Sequence, residues 1–262
     1  MEKYLVDLFV TSAREKSRVP GWLIRFYLSL FGVPLGKTIR IDMVKELIRG
    51  YEIKGKRILD VGCGAGDLSL MLTQQGAEVI GVELEAQKVA SANRTARQWN
   101  FDRARFIAGD VMKLQQMGLG QFDMIFCLAL LEHIKDDKGL ISQMKSMLRP
   151  NGLFIMEVPN ARRKTIQAVE EEDGHVRPGY IYEDVPDFLQ GLGFHVKRKC
   201  TRDPLSLFYY WCRLSRLIPG PKGRGQLFAV FAPIFIFSIR FTSIMTKRTG
   251  YELGFLAVNQ EQ

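Results

Sequence analysis

Ile58-Leu59-Asp60-Val61-Gly62-Cys63-Gly64-Ala65-Gly66-Asp67-Leu68-Ser69-Leu70 is the stretch on which the fold turns. A short apolar run ends in a carboxylate, passes through three alternating glycines and continues at once with helical periodicity, which reads as strand, tight turn, helix. The glycines let the backbone turn sharply and approach a ligand without interference from Cβ, and the helix that follows presents free N–H groups at its start. The spacing separates this loop from two other nucleotide loops. A GxGxxG fingerprint would need glycine at position 67, where Asp67 stands and would repel a pyrophosphate, and GxxxxGK[ST] is absent.

Outward from that turn the alternation continues. Apolar runs at 57–61, 77–83, 104–110, 122–128 and 152–158 read as strands. Segments Asp67 to Gln75, Glu85 to Trp99 and Asp136 to Leu148 read as helices bounded by Gly, Asn or Pro. Repeated strand–helix units imply a parallel sheet covered on both faces. A short helix near Glu183 to Gln190 precedes a sixth strand at 194–200, and 251–259 reads as a closing strand. The expected fold class is α/β: a Rossmann-like, doubly wound, mostly parallel sheet of seven strands. Its last strand is antiparallel, an N-terminal helical cap spans 1–50, and a hydrophobic helical insertion occupies 202–250, leaving 51–201 and 251–262 as the core.

Two further strand-end acids fall where such folds hold a nucleoside. Glu83 ends the second strand, placed to accept both hydroxyl protons of a ribose that lacks a 2′-phosphate. Asp110 ends the third, placed to accept from an exocyclic adenine amine. With Asp60, they describe a site for an adenosine carrying a cationic tail.

The segments ILDVGCGAGDLSL, VIGVELE, FIAGDV, FDMIFCLALLEHI and LRPNGLFIMEVPN together resemble the successive motifs of class I S-adenosylmethionine-dependent methyltransferases. LLEHI and LRPNG are most similar to those of the ubiquinone-biosynthesis-like small-molecule enzymes. The resemblance covers about 52–160, with a weaker echo at 175–194. It implies S-adenosylmethionine as cofactor, with Asp60, Gly62, Cys63, Gly64 and Gly66 around the methionine portion. Glu83 and Leu84 would meet the ribose, Asp110 and Val111 the adenine, and Leu128 would complete the pocket.

A sulfonium is already an activated methyl donor, so alignment of the acceptor is the enzyme's main task. A hydroxyl acceptor also needs a base, and histidine is the usual one near neutral pH. His133, after the fourth strand, and His175, in the loop after the fifth, are the candidates; either reads equally as a structural residue. Arg177 and Tyr180, close to His175, are expected to recognise an anionic or sugar-like group. The three histidines lack zinc-site spacing, and no metal is assigned.

Composition sets the outer limits. Among 262 residues, 47% are hydrophobic and 25% charged, which excludes a fibrous or disordered chain. Four scattered cysteines without a CxxC pair, and a leading MEKYLVDLFV unlike a signal peptide, point to a cytoplasmic setting. The formal net charge is +9. Eight basic residues against Asp203 alone give the 202–250 insertion +7 of that total. Within it, 205–218 has a broad aromatic face, and 227–246 is an apolar run broken by Pro233 and Arg240. Both ends must return to one domain, so it is read as a lid, a dimer interface or an in-plane element on an anionic bilayer, at the inner face of a membrane. The apolar stretch 21–32 reads as a second such piece.

The expected acceptor is a small or lipophilic molecule. An RNA or other nucleic-acid methyltransferase is the alternative that the charge encourages. LALLEH stands, however, where an Asn/Asp-Pro-Pro-aromatic tetrad would hold a base, and the basic excess lies among apolar residues. An inactive cofactor-binding scaffold is the other alternative, against which the intact loop and acids count.

Overall fold

The computed structural model describes residues 35–162, 174–202 and 252–260, together with the isolated positions 20 and 22. Helix α1 (Leu35–Leu47) leads into β1 (Arg57–Val61), α2 (Asp67–Gln74), β2 (Glu78–Glu83), α3 (Ala86–Gln98) and β3 (Ala104–Ala108). Then come β4 (Phe122–Leu128), α4 (Asp137–Met147), β5 (Leu148–Pro159), α5 (Val185–Gly191), β6 (Phe194–Arg202) and β7 (Glu252–Asn259). The strands form one sheet in the order β3-β2-β1-β4-β5-β7-β6. Neighbours from β3 to β5 pair in parallel, and β7 runs antiparallel to both β5 and β6. The expected seven-stranded, doubly wound architecture is therefore the one observed.

The near-continuous apolar strands exist because both faces of the sheet are covered. On one face Leu59, Val61, Ile125 and Phe154 pack with Leu140, Ile141 and Met144 of α4. On the other, Ile58, Met124, Phe126 and Ile155 meet Met43, Val44 and Leu47 of α1 and Leu68 and Leu72 of α2. The strand order reverses between β1 and β4, which opens a crevice at their carboxyl ends.

The structure departs from expectation in three local places. Strand β5 starts at Leu148: Phe122 pairs with Leu148, and Met124 then pairs with Leu153 after a register shift. The Pro150-Asn151-Gly152 turn signal is real, since Asn151 has φ 58°, but it forms a bulge inside the strand. Short 3-10 helices at Val111–Met117 and Leu131–His133 were also not anticipated.

Strands β6 and β7 are joined through 203–251, and Arg202 pairs with Glu252, which itself lies opposite Pro159 at the carboxyl end of β5. The insertion therefore leaves the sheet on the same edge as the crevice. Its segments 205–218 and 227–246, the acidic run 170–173 and, apart from Trp22, the stretch 21–32 lie outside the described residues. Among the described residues, no helix is long and apolar enough to cross a membrane.

Candidate active site

The crevice has two halves of different construction. The first is the turn after β1. The Gly62 and Cys63 N–H groups donate to the Val82 carbonyl at 2.8 and 3.1 Å, folding the loop back over β2. Gly66 has φ 85°, and a Cβ there would lie 2.7 Å from the Phe106 ring, so only glycine can begin α2 in this position. Gly64, at φ 56°, has open space where a side chain would project. The result is a backbone cradle that a Cβ would fill.

Asp60 and Glu83 border this cradle, and Asp110 follows the strand next to that of Glu83. Asp60 is 3% exposed and accepts from the Ser69 hydroxyl at 2.6 Å. Its carboxyl is pushed up to about 6, chiefly by burial, with Asp67 and Glu83 adding to the rise and the Ser69 bond and Arg40 opposing it. Glu83 props the loop: one oxygen accepts from the Gly64 N–H and the other from the Glu85 N–H, each at 3.0 Å. A carboxylate has about four lone-pair positions, so acceptor capacity remains for a diol. Asp110 caps the 3-10 helix by accepting from the Met112 N–H at 2.9 Å. Val111 is buried beside it, whereas Leu84 is 71% exposed, an apolar platform next to Glu83. Cys63 packs beneath Gly81, and burial raises its thiol well above the ordinary range, consistent with a packing role.

Arg40 is a site residue that the sequence reading missed. It comes from α1, outside every quoted motif, and lines the narrow cleft that also holds Asp60, Gly62, Cys63, Asp67 and Leu128. Its guanidinium pairs with Glu157, a 2%-exposed carboxylate near the end of β5. Burial opposes the Arg40 charge, but the adjacent Glu157 carboxylate holds it above the ordinary arginine range. The one readable signal was Glu157, a lone charge in the apolar run GLFIMEV.

The second half is built after β4. Ala129 adopts φ 48°, a left-handed conformation uncommon outside glycine, with its N–H held by the Glu157 carbonyl at 3.0 Å. That turn places Leu130 against Gly62 and starts the 3-10 turn carrying Glu132 and His133. Segment 174–177 docks on it: the Val176 N–H donates to the Glu132 carbonyl at 2.8 Å, and His133 Nδ1 lies 3.3 Å from the Gly174 carbonyl. The rings of His133 and His175 thereby meet edge to face, with centroids 4.7 Å apart. The fold thus brings both candidate bases into one place.

Glu132 completes this group. It is 3% exposed, its Oε2 has no hydrogen-bond partner among the described residues, and its Oε1 lies 4.0 Å from His133 Nε2. Burial raises its carboxyl above the usual range, opposed by backbone hydrogen bonding and by His133. Ligand-type atoms of Glu132, His133 and His175 all fall within 4.8 Å of one another, a spacing that a divalent cation could bridge. Sequence spacing could not show this set, because His175 comes from a segment far from the adjacent pair Glu132 and His133.

Arg177 and Tyr180, expected to face a substrate group, spend their polar atoms on protein. The Arg177 guanidinium pairs with Asp137, and the Tyr180 hydroxyl donates to the same carboxylate at 2.5 Å. Burial, then Asp137, raises the Tyr180 phenol far above its ordinary range.

A crevice at the strand-order reversal, floored by a glycine loop and ringed by strand-end acids, defines a Rossmann-like α/β protein of nucleotide-site type. The chain belongs to the methyltransferase domain family, whose profile matches residues 52–197. Among its relatives, the ubiquinone biosynthesis O-methyltransferase of Psychrobacter cryohalolentis is 33% identical over 140 residues, covering 48% of this chain and 54% of the relative. The enzyme of that name from Acinetobacter baumannii is 28% identical over 127 residues, covering 48% and 53%. The chain thus spans about half the length of the curated relatives it matches. Similar solved structures include geranyl diphosphate C-methyltransferase from Streptomyces coelicolor A3(2), with TM-score 0.60, 14% identity and coverage of 85% and 79%. Magnesium protoporphyrin IX methyltransferase from Synechocystis PCC 6803 gives TM-score 0.55, 18% identity and coverage of 90% and 87%. At these identities the likeness is one of fold.

Proposed function

We propose that this chain is an S-adenosylmethionine-dependent O-methyltransferase acting on a hydroxyl of a small, lipophilic acceptor, such as a quinol, phenol, lipid or lipid-linked sugar. The observation that carries the reading is the paired imidazoles of His133 and His175 standing beside a glycine cradle with buried Asp60. The names of the curated relatives support oxygen as the methylated atom.

The open cradle at Gly64 and the acids around it fit the cofactor. Asp60 and the Gly62–Gly66 loop would hold its cationic methionine portion, Arg40 its carboxylate, Glu83 its ribose, and Leu84, Asp110 and Val111 its adenine. When bound, it supplies a methyl group already activated by a sulfonium.

The chain's residues then handle the acceptor. A carbonyl only accepts, so the contact with Gly174 places the His133 proton on Nδ1 and leaves Nε2 as the basic nitrogen. Nε2 would take the hydroxyl proton while the methyl group passes from the cofactor's sulfur, left as a neutral thioether, to the acceptor oxygen. Glu132, 4.0 Å away, stabilises the resulting imidazolium. Leu128 and Leu130 border the crevice with apolar surface, which excludes water and favours a greasy acceptor.

Methyl-labelled cofactor, offered with catechol, phenol and phospholipid acceptors, tests the reading. Label recovered as a methyl ether supports it; label recovered only on nitrogen or carbon, or on none of them, refutes it. We also propose that the basic, apolar 202–250 insertion rests on an anionic bilayer. Its charge and its exit on the crevice edge support this. Protein that stays unbound in flotation with anionic liposomes would remove the membrane part alone.

A further inference from the structure

We propose that Arg177 is a positioning residue: by clamping the turn at 134–137 it fixes His175 edge-on against His133. The role rests on the reading that His133, with His175 packed against its ring, takes the acceptor's proton.

An arginine that recognises an anion keeps its planar fork of donors turned toward the ligand. In Arg177 the fork is closed onto the protein. Nη1 pairs with the Asp137 carboxylate and lies 3.3 Å from the Tyr180 hydroxyl. Nη2 donates to the carbonyls of Ile134 at 2.5 Å and Lys135 at 3.0 Å. Nε is buried with no acceptor among the described residues, so the other bonds dictate the orientation of the group. Asp137 is itself 7% exposed, at the start of α4.

The clamp reaches the histidines through a short segment. Gly174 and Val176, on either side of His175, touch the 132–133 turn by one contact each. Immediately after them Arg177 ties the strip to 134–137, and Tyr180 then returns it to the sheet through its N–H to the Pro159 carbonyl at 2.8 Å. His175 thus sits on a strip pinned at both ends, and Arg177 is the nearer side-chain pin. Without the guanidinium, the buried Asp137 carboxylate keeps the Tyr180 hydroxyl and the Lys138 N–H but loses its counter-charge, and the strip can shift. A misplacement of about 1 Å can cost about 100-fold in rate.

The test uses the full chain with Arg177→Gln, Arg177→Lys, His175→Ala and the Arg177→Gln/His175→Ala double variant. In histidine-labelled protein, the cross-relaxation between the two imidazole rings is expected in the native chain, absent in Arg177→Gln and partly restored in Arg177→Lys. With methyl-labelled cofactor and catechol as the probe acceptor, kcat in Arg177→Gln falls about 10- to 100-fold. KM for catechol and calorimetric Kd for S-adenosylhomocysteine stay within about 3-fold of native, because binding does not depend on the clamp. The double variant loses no more than His175→Ala alone, as required if Arg177 acts through His175.

Three results overturn the proposal: ring contact and kcat both retained in Arg177→Gln, a KM increase at unchanged kcat, or losses that multiply in the double variant. Should Arg177→Gln fail to fold, Arg177→Lys decides by the same ring contact and kcat. If the native chain transfers nothing to catechol, the O-methylation reading has failed, whereas the ring contact, which needs no acceptor, still judges the clamp.

Discussion

The two halves of the crevice solve different problems. The half proposed for the cofactor is backbone-built: one continuous turn supplies the cradle, and Glu83, near in sequence, braces it through main-chain N–H groups. The half proposed for the acceptor is side-chain-built, assembled from the turn after β4 and the strip at 174–180. A backbone cradle tolerates few substitutions and recognises one constant ligand. A side-chain wall from distant segments can be changed residue by residue, as suits a variable acceptor.

The comparison breaks most visibly at His133. Replacing it with Ala should lower kcat by about 10²- to 10⁴-fold, the usual contribution of a general base, while leaving cofactor Kd near native. Calorimetry and methyl-transfer rates on the same sample check the split; weakened cofactor binding would show that the halves are not separate. The converse substitutions, Asp60→Ala and Glu83→Ala, should each weaken the cofactor by roughly 10- to 100-fold, the worth of a hydrogen bond to a charged group. Glu83→Ala should also loosen the loop it braces.

The pH dependence sharpens the contrast. A carboxyl at about 6 binds its proton more tightly in the fold than in the open chain. On Asp60's account, the free protein is therefore most stable below the ordinary aspartate range and loses that share as pH rises through about 6. A cationic cofactor prefers the ionised form, so its affinity should fall as pH drops through 6, by up to about tenfold per unit. Binding isotherms from pH 5 to 8 should lose this slope in Asp60→Asn. The smallest effect is thermodynamic. Gly66→Ala combines φ 85° with a clash on Phe106 and should cost about 1 to 3 kcal/mol of stability, measured by denaturant unfolding.

The same division governs what the sequence reveals. The strands and the glycine loop are legible because their signals are local: apolar runs, alternating glycines and acids at strand ends. His133 and His175 could be named one at a time, but their edge-to-face meeting depends on the left-handed turn at Ala129, for which alanine gives no signal. Arg40 was invisible because it enters from a helix outside the motifs. For Arg177 and Tyr180, residue type alone cannot tell a guanidinium aimed at ligand from one closed on Asp137. The fifth strand reads from 152 in the sequence but begins at Leu148, because the Pro150-Asn151-Gly152 stretch that looks like a strand boundary is a bulge within it.

One pairing has implications beyond catalysis. Because Arg202 and Glu252 are register partners, the chain departs from the sheet and rejoins it at a single point. Between roots this close, each doubling of a flexible connection adds only about 0.6 kcal/mol of closure entropy. Changes of length between these two positions can therefore accumulate in evolution while the sheet underneath keeps its pairing.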